Sequence, residues 1–128
     1  MAKPTVAIIG ASADRSKYGN KSVRAHLAQG YQVFPVNPKG GEIEGLPAYK
    51  RLAEVPAQHL DRISMYVPPA VGMTLVDEIA AKGCDELFLN PGSESDELFE
   101  AALAQGLNPI IACSIVDVGM SPRDLGDQ

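Results

Sequence analysis

Two short apolar runs, each ending in a polar turn, constrain this chain most. Val6-Ala7-Ile8-Ile9 leads into Gly10-Ala11-Ser12, and Tyr31-Gln32-Val33-Phe34 leads into Pro35-Val36-Asn37-Pro38-Lys39. Between them lie a loop from Ala11 to Gly19 and a stretch with apolar Val23, Ala25, Leu27 and Ala28, stopped by Gly30. Residues 1 to 39 therefore read as a β-α-β unit, whose strands are parallel and whose crossover is right-handed. Such a unit ends its first strand in a turn at the start of a helix, where backbone N–H groups can face a phosphate.

The pattern continues along the chain. The first strand covers about 5 to 9, a helix about Asn20 to Gln29, and the second strand about 31 to 36. A crossover over 37 to 60 is punctuated by Gly40-Gly41, Pro47 and Pro56, with one helical turn at Arg51-Leu52-Ala53. Strand three runs from about Arg62 to Val67 and is halted by Pro68-Pro69; a helix from about Ala70 to Lys82 ends at Gly83. Strand four, Glu86 to Leu89, stops at Asn90-Pro91-Gly92. Ser93 or Ser95 then caps a helix that ends at Gly106, with Glu94, Asp96 and Glu97 suiting its positive end. Strand five is about Pro109 to Ala112, leaving a tail from Cys113 to Gln128.

Strands alternating with helices imply an α/β fold: one Rossmann-like, doubly wound, five-stranded parallel sheet of order 3-2-1-4-5, with helices on both faces. Its switch point lies between strands one and four. Ligand is then expected over the carboxyl ends, at Gly10-Ala11-Ser12, Asn37-Pro38-Lys39, Val67-Pro68-Pro69 and Asn90-Pro91-Gly92. With 128 residues the chain reads as a single domain. A 45% apolar content without Trp suits a Val, Ile, Leu and Ala core. No apolar run approaches the roughly 20 residues needed to span a bilayer, and Met1-Ala2-Lys3-Pro4 enters a strand without room for a signal peptide. Cys84 and Cys113 lack metal-ligand spacing and are expected as reduced thiols in a cytoplasmic protein.

Charge is divided unevenly. Residues 1 to 39 carry +5, from Lys3, Arg15, Lys17, Lys21, Arg24 and Lys39 against Asp14, while the remainder carries −10. An acidic chain does not attract nucleic acid globally, yet its positive charge gathers around the glycine turn, as either a solvated helix face or an anion site. The dinucleotide glycine pattern is not met: Gly10 holds its first position, but Ser12 the third and Arg15 the sixth. Ser12 can donate a hydroxyl, and Arg15 or Lys17 can pair with phosphate. The second strand ends in Asn37-Pro38-Lys39 where an NAD protein offers an acid to the ribose. An amide and a lysine suit a nucleotide with an extra ribose phosphate, coenzyme A or, as the alternative, NADP. His26 and His59 read as structural or surface residues, and no nucleophile-base set or carboxylate pair stands at interpretable spacing. Cys113-Ser114 follows strand five and can approach a bound thiol, though a buried structural cysteine is the commoner case.

Taken together, Val6 to Ser12, Ser16-Lys17-Tyr18-Gly19-Asn20-Lys21, Gly30 to Lys39, Glu42-Ile43-Glu44-Gly45 and Val67-Pro68-Pro69 resemble the CoA-binding domain family. Its members include the N-terminal domain of the succinyl-CoA synthetase α-subunit and of ADP-forming acyl-CoA synthetases, together with small stand-alone proteins. The resemblance covers almost the whole chain, to about Asp117. It implies that Gly10, Ala11, Ser12 and the loop through Arg15, Lys17, Tyr18, Gly19 and Lys21 hold the CoA phosphates. Asn37, Pro38 and Lys39 would lie by the adenosine and its 3′-phosphate, Val67, Pro68 and Pro69 by the adenine or pantetheine, and Asn90, Pro91 and Gly92 by the pantetheine arm. The larger enzymes add a phosphohistidine domain and an ATP-grasp partner. The expectation is a CoA or acyl-CoA binder without chemistry of its own, a carrier, sensor or partner-bound module, monomeric or homodimeric, with an NADP oxidoreductase or an interaction subunit of a split synthetase as alternatives.

Overall fold

The computed structural model describes residues 3 to 128; Met1 and Ala2, part of the expected start of the chain, lie outside the described residues. Five parallel strands form the sheet: β1 (Thr5–Ile9), β2 (Gln32–Val36), β5 (Leu60–Met65), β6 (Cys84–Leu89) and β7 (Pro109–Ile111). A two-stranded antiparallel hairpin, β3 (Glu42–Ile43) and β4 (Leu46–Pro47), interrupts the long crossover. The helices are α1 (Tyr18–Ala28), α2 (Pro69–Met73), α3 (Val76–Lys82), α4 (Asp96–Ala104) and α5 (Ser114–Asp117).

The α/β, Rossmann-like parallel sheet is present as expected, and its spatial order is β2-β1-β5-β6-β7. One placement needs correcting. The strand near residues 60 to 65, expected beyond β2, pairs instead with the free side of β1, matching Ile8 to Ser64. The outer flank of β2 is taken by a rudimentary strand, a single parallel bridge between Val36 and Tyr49. Asn37 N–H donates to the Tyr49 carbonyl and Tyr49 N–H to that of Pro35, both at 2.9 Å. With Tyr49 counted as the third strand the order is of the 3-2-1-4-5 type as far as β6, with β7 added as a sixth strand. The switch point stays beside β1, now against β5.

Alternation along β1 sorts the core. Ala7 and Ile9 point into a cluster with Ile63, Met65, Leu87, Leu89, Ile79 and Leu98, beneath α2, α3 and α4. Val6 and Ile8 point the other way, against Val23 of α1. A smaller cluster of Ala25, Ile115 and Leu125 joins α1 to α5 and the tail. Helices thus cover both faces, the condition for an all-parallel sheet with near-continuous apolar strands.

Other departures have local causes. The helix expected over 70 to 82 is broken in two, since Thr74 Oγ1 donates to the Val71 carbonyl at 2.6 Å and competes with the helical ladder. Gly72 there lets α2 approach β5; a Cβ would stand 2.9 Å from Met65 Sδ and 3.0 Å from Leu98 Cδ2. The tail folds as α5 and a short turn at Pro122–Asp124. Ser95, rather than Ser93, caps α4, accepting from Leu98 N–H at 3.0 Å.

Candidate functional site

All five parallel strands deliver their carboxyl ends to one edge, where a groove of about 530 Å³ opens. It is lined by Gly10, Ala11 and Ser12 after β1, Lys17, Tyr18 and Gly19 at the start of α1, Asn37 and Lys39 after β2, Val67 and Pro68 after β5, and Pro91 and Gly92 after β6. Those expected residues come together. Pro38 faces an adjoining apolar slot of about 180 Å³, shared with Ile9, Val36, Val67, Val71 and Leu75 and flanked by Lys50, Arg51 and Glu78.

The glycines make this floor possible. Gly10 has φ +86°, and a Cβ would stand 3.0 Å from the Tyr66 backbone. At Gly19 a Cβ would stand 2.2 Å from the Gly10 carbonyl oxygen, so α1 begins directly against the turn. The Gly10 and Ala11 N–H groups both donate to the Val36 carbonyl, at 3.1 and 3.3 Å, which welds β1 to β2 rather than facing outward. The donors that α1 brings to the groove are those of its first turn, at Tyr18 and Gly19, which no intrahelical carbonyl can reach. Lys17 at the N-cap supplies no side-chain cap and the first turn holds no acid, so the positive end of the helix dipole is unneutralised.

Side chains set the loops around it. Asn37 Nδ2 donates to the Ala11 carbonyl at 2.7 Å, and its Oδ1 accepts from Lys39 N–H at 2.8 Å, clamping the loops after β1 and β2 together. Ser12 Oγ accepts from Asp14 N–H at 3.0 Å, which leaves its hydroxyl proton to donate. Asp14 in turn takes the Ser16 hydroxyl and N–H, which hold its carboxyl below the usual range. Buried Asn20 donates to the Ser12 carbonyl at 2.9 Å and to Glu44 at 3.0 Å.

Other expected residues stand elsewhere. Arg15 pairs with Glu44 at 3.7 Å and Lys21 with Asp127 at 2.8 Å. Pro69 is the first residue of α2. Asn90 lies beneath the floor, 1% exposed, donating to Ser64 Oγ and the Met65 carbonyl and accepting from Ser114 N–H, each at 2.8 Å. His26 is buried under α1, and His59 meets Asp85 at the amino end of the sheet. Cys113 is half-buried against the cluster of Ala25, Ile115 and Leu125.

Tyr66 and Ser93 also line the groove; neither was expected there, and Ser93 was expected only as a possible helix cap. Tyr66 directly precedes Val67-Pro68, so its place at a strand's carboxyl end was the available signal. Burial raises its phenol pKa, and its hydroxyl contacts Ser114 Oγ at 3.0 Å. The groove therefore offers helix N–H groups, two lysines and neutral hydroxyls, flanked by an apolar slot. Such a lining can accept an anionic group in the groove and an apolar one in the slot. Among the described residues no helix is long and apolar enough to cross a membrane.

Comparison with known proteins gives the same direction. The model of the family described as CoA binding domain matches residues 4–119. The α-subunit of an ADP-forming acetate–CoA ligase from Pyrococcus furiosus is 35% identical over 85 residues, covering 62% of this chain and 18% of that protein. A trans-feruloyl-CoA synthase from an unknown prokaryotic organism is 32% identical over 119 residues, covering 84% of this chain and 16% of its own. The chain thus spans less than a fifth of the length of these curated relatives. A solved structure of a conserved hypothetical protein from Pyrococcus furiosus superposes with TM-score 0.77 at 32% identity, over 91% of this chain and 99% of the other.

Proposed function

The chain belongs to the CoA-binding domain family, and from that we propose that it binds coenzyme A or an acyl-CoA in the carboxyl-end groove, as a carrier, sensor or partner-bound module. The observation that carries this reading is the meeting of an uncapped, acid-free helix start with Lys17 and Lys39 in one groove beside an apolar slot. In this reading the diphosphate meets the first turn of α1 and Ser12. The adenine enters the slot between Pro38 and Val67, and Lys39 faces the 3′-phosphate. The pantetheine arm runs past Pro91 and Gly92.

NADP is disfavoured by the glycine pattern, since Ser12 and Arg15 replace the second and third glycines of the dinucleotide turn. A partner-bound role draws support from the relatives in which a segment like this one is a small part of a larger synthetase. The deciding experiment is calorimetric titration with CoA, acetyl-CoA, NAD and NADP. CoA is expected to bind and, at about a hundredfold its Kd, to stabilise the fold by roughly 2.7 kcal/mol. A chain that gives neither heat nor thermal shift with CoA and acetyl-CoA, yet folds, overturns the reading.

A further inference from the structure

The bridge beside β2 has a consequence for recognition. Because Tyr49 pairs with Val36 in parallel, the next residue, Lys50, comes alongside Asn37 at the carboxyl edge, close to the turn that carries Lys39. The contact is tight. A Cβ on Gly40 would stand 3.1 Å from Lys50 Cε and 3.3 Å from its Cγ, so the lysine stem lies along the Lys39-Gly40 turn. Lys50 lines one side of the apolar slot and Lys39 lines the neighbouring groove. Among the described residues neither ammonium has a carboxylate within 4.0 Å, whereas Arg51, on the same rim, pairs with Glu78 at 3.8 Å. Both lysines are thus anchored at one turn without a carboxylate partner, and an anion held at that turn would gain a charge-assisted bond from each.

We propose that Lys50 is a specificity-determining residue, which forms with Lys39 a two-lysine clamp for the ribose phosphate of a nucleotide whose base occupies the slot. The proposal rests on the CoA reading above and adds to it the residue that separates a 3′-phosphorylated adenosine from a plain one. Lys39 alone then carries only part of that discrimination. The remainder belongs to a side chain eleven residues further on, brought back by the rudimentary strand.

The test is calorimetric titration of the full chain with CoA and dephospho-CoA, for wild type, Lys39→Ala, Lys50→Gln and the double variant. Glutamine keeps most of the stem packed on Gly40 and removes the charge. Lys50→Gln is expected to weaken CoA binding about tenfold, to leave dephospho-CoA binding unchanged, and to keep the wild-type melting temperature. The double variant is expected to bind both ligands equally. Lys50→Arg should restore most of the preference for CoA. If wild type prefers CoA and Lys50→Gln keeps that preference in full, the clamp is overturned and the CoA reading stands. If wild type binds neither ligand, both fall together. A Lys50→Gln chain that loses affinity for both ligands equally makes Lys50 a structural residue and also overturns the clamp.

Discussion

At the scale of single residues, the site depends on which atoms are missing as much as on which are present. Gly19 has no positive φ to justify it; its reason is the 2.2 Å at which a Cβ would meet the Gly10 carbonyl oxygen. That neighbour is backbone held by Val36, so it cannot swing aside. Gly19→Ala is expected to cost about 1–3 kcal/mol by overpacking and to weaken CoA binding, because α1 must back away from the turn. Chemical denaturation reads the first effect, and a wild-type midpoint would show that the helix start has room to spare. Ser12 separates two roles. Its Oγ accepts from Asp14 N–H while its proton stays free, so Ser12→Ala should lower CoA affinity by about 0.5–2 kcal/mol with little change in melting temperature. Lowered melting temperature with intact affinity would make the serine a turn cap alone. Gly10, Ser12 and Lys39 were legible because turn and charge chemistry is local. The inward roles of Asn37 and Asn90 were not, since an amide looks the same in sequence whether it reaches a ligand or the Ala11 carbonyl.

Among the elements, those with a strong apolar period were readable: β1, β2, α1, α4 and the core of β5 and β6 all fall near their expected positions. What the period could not show were elements too short to have one. The β3–β4 hairpin has two residues per strand, and its turn places Glu44 at φ +52° beside Gly45 at φ +79°. A glutamate is costly there, and its carboxylate is what holds Asn20 and Arg15. The strand partner at Tyr49 is a single bridge, invisible without the fold. Packing of α1 on the sheet carries a pH dependence. His26 Nδ1 contacts the Ser22 carbonyl at 2.8 Å, and Nε2 faces Arg62 Nη1 at 3.4 Å, so the ring is neutral with its proton on Nδ1. Burial pushes its pKa down to about 4, and the Arg62 charge adds to that. Arg62 is itself buried, a cost outweighed by Asp117 and Glu86, which keep it charged. The unfolded chain binds the His26 proton more readily, so this contribution is fully present above about pH 6.5 and is lost as pH falls towards 4. Its upper bound is about 3 kcal/mol. Melting temperature is expected to fall between pH 7 and 4.5 more steeply for wild type than for His26→Gln. Parallel curves would mean that the imidazole is already hydrated in the native state.

For the whole molecule, the uneven charge along the sequence becomes a contact between its two ends. The basic face of α1 is met by the acidic tail: Lys21 pairs with Asp127 at 2.8 Å, and Arg24 Nη2 donates to the Gly126 carbonyl at 2.7 Å. The same Arg24 nitrogen donates to the Arg15 carbonyl at 2.9 Å, and its Nε to Asn20 Oδ1 at 2.7 Å. Asn20 then holds the Ser12 carbonyl. One guanidinium therefore ties the tail to the loop that the proposed diphosphate would meet. Leu125, 8% exposed, packs the tail against Ala25 and Ile115. A chain truncated after Met120 loses that burial, about 2 kcal/mol, and the Arg24 bond to Gly126, about 1 kcal/mol; the exposed Asp127 adds little. The sheet keeps every strand, so the truncated chain should fold, with its denaturation midpoint lowered and its CoA affinity reduced because Arg24 is less constrained. Leu125→Ala separates the two effects: it removes the packing and keeps the Gly126 carbonyl, so stability should fall while affinity stays near that of wild type. Equal losses of affinity in the two variants would mean that tail packing, and not the Arg24 relay, sets the loop. A truncated chain with the wild-type midpoint would show that the tail is not docked on α1 at all.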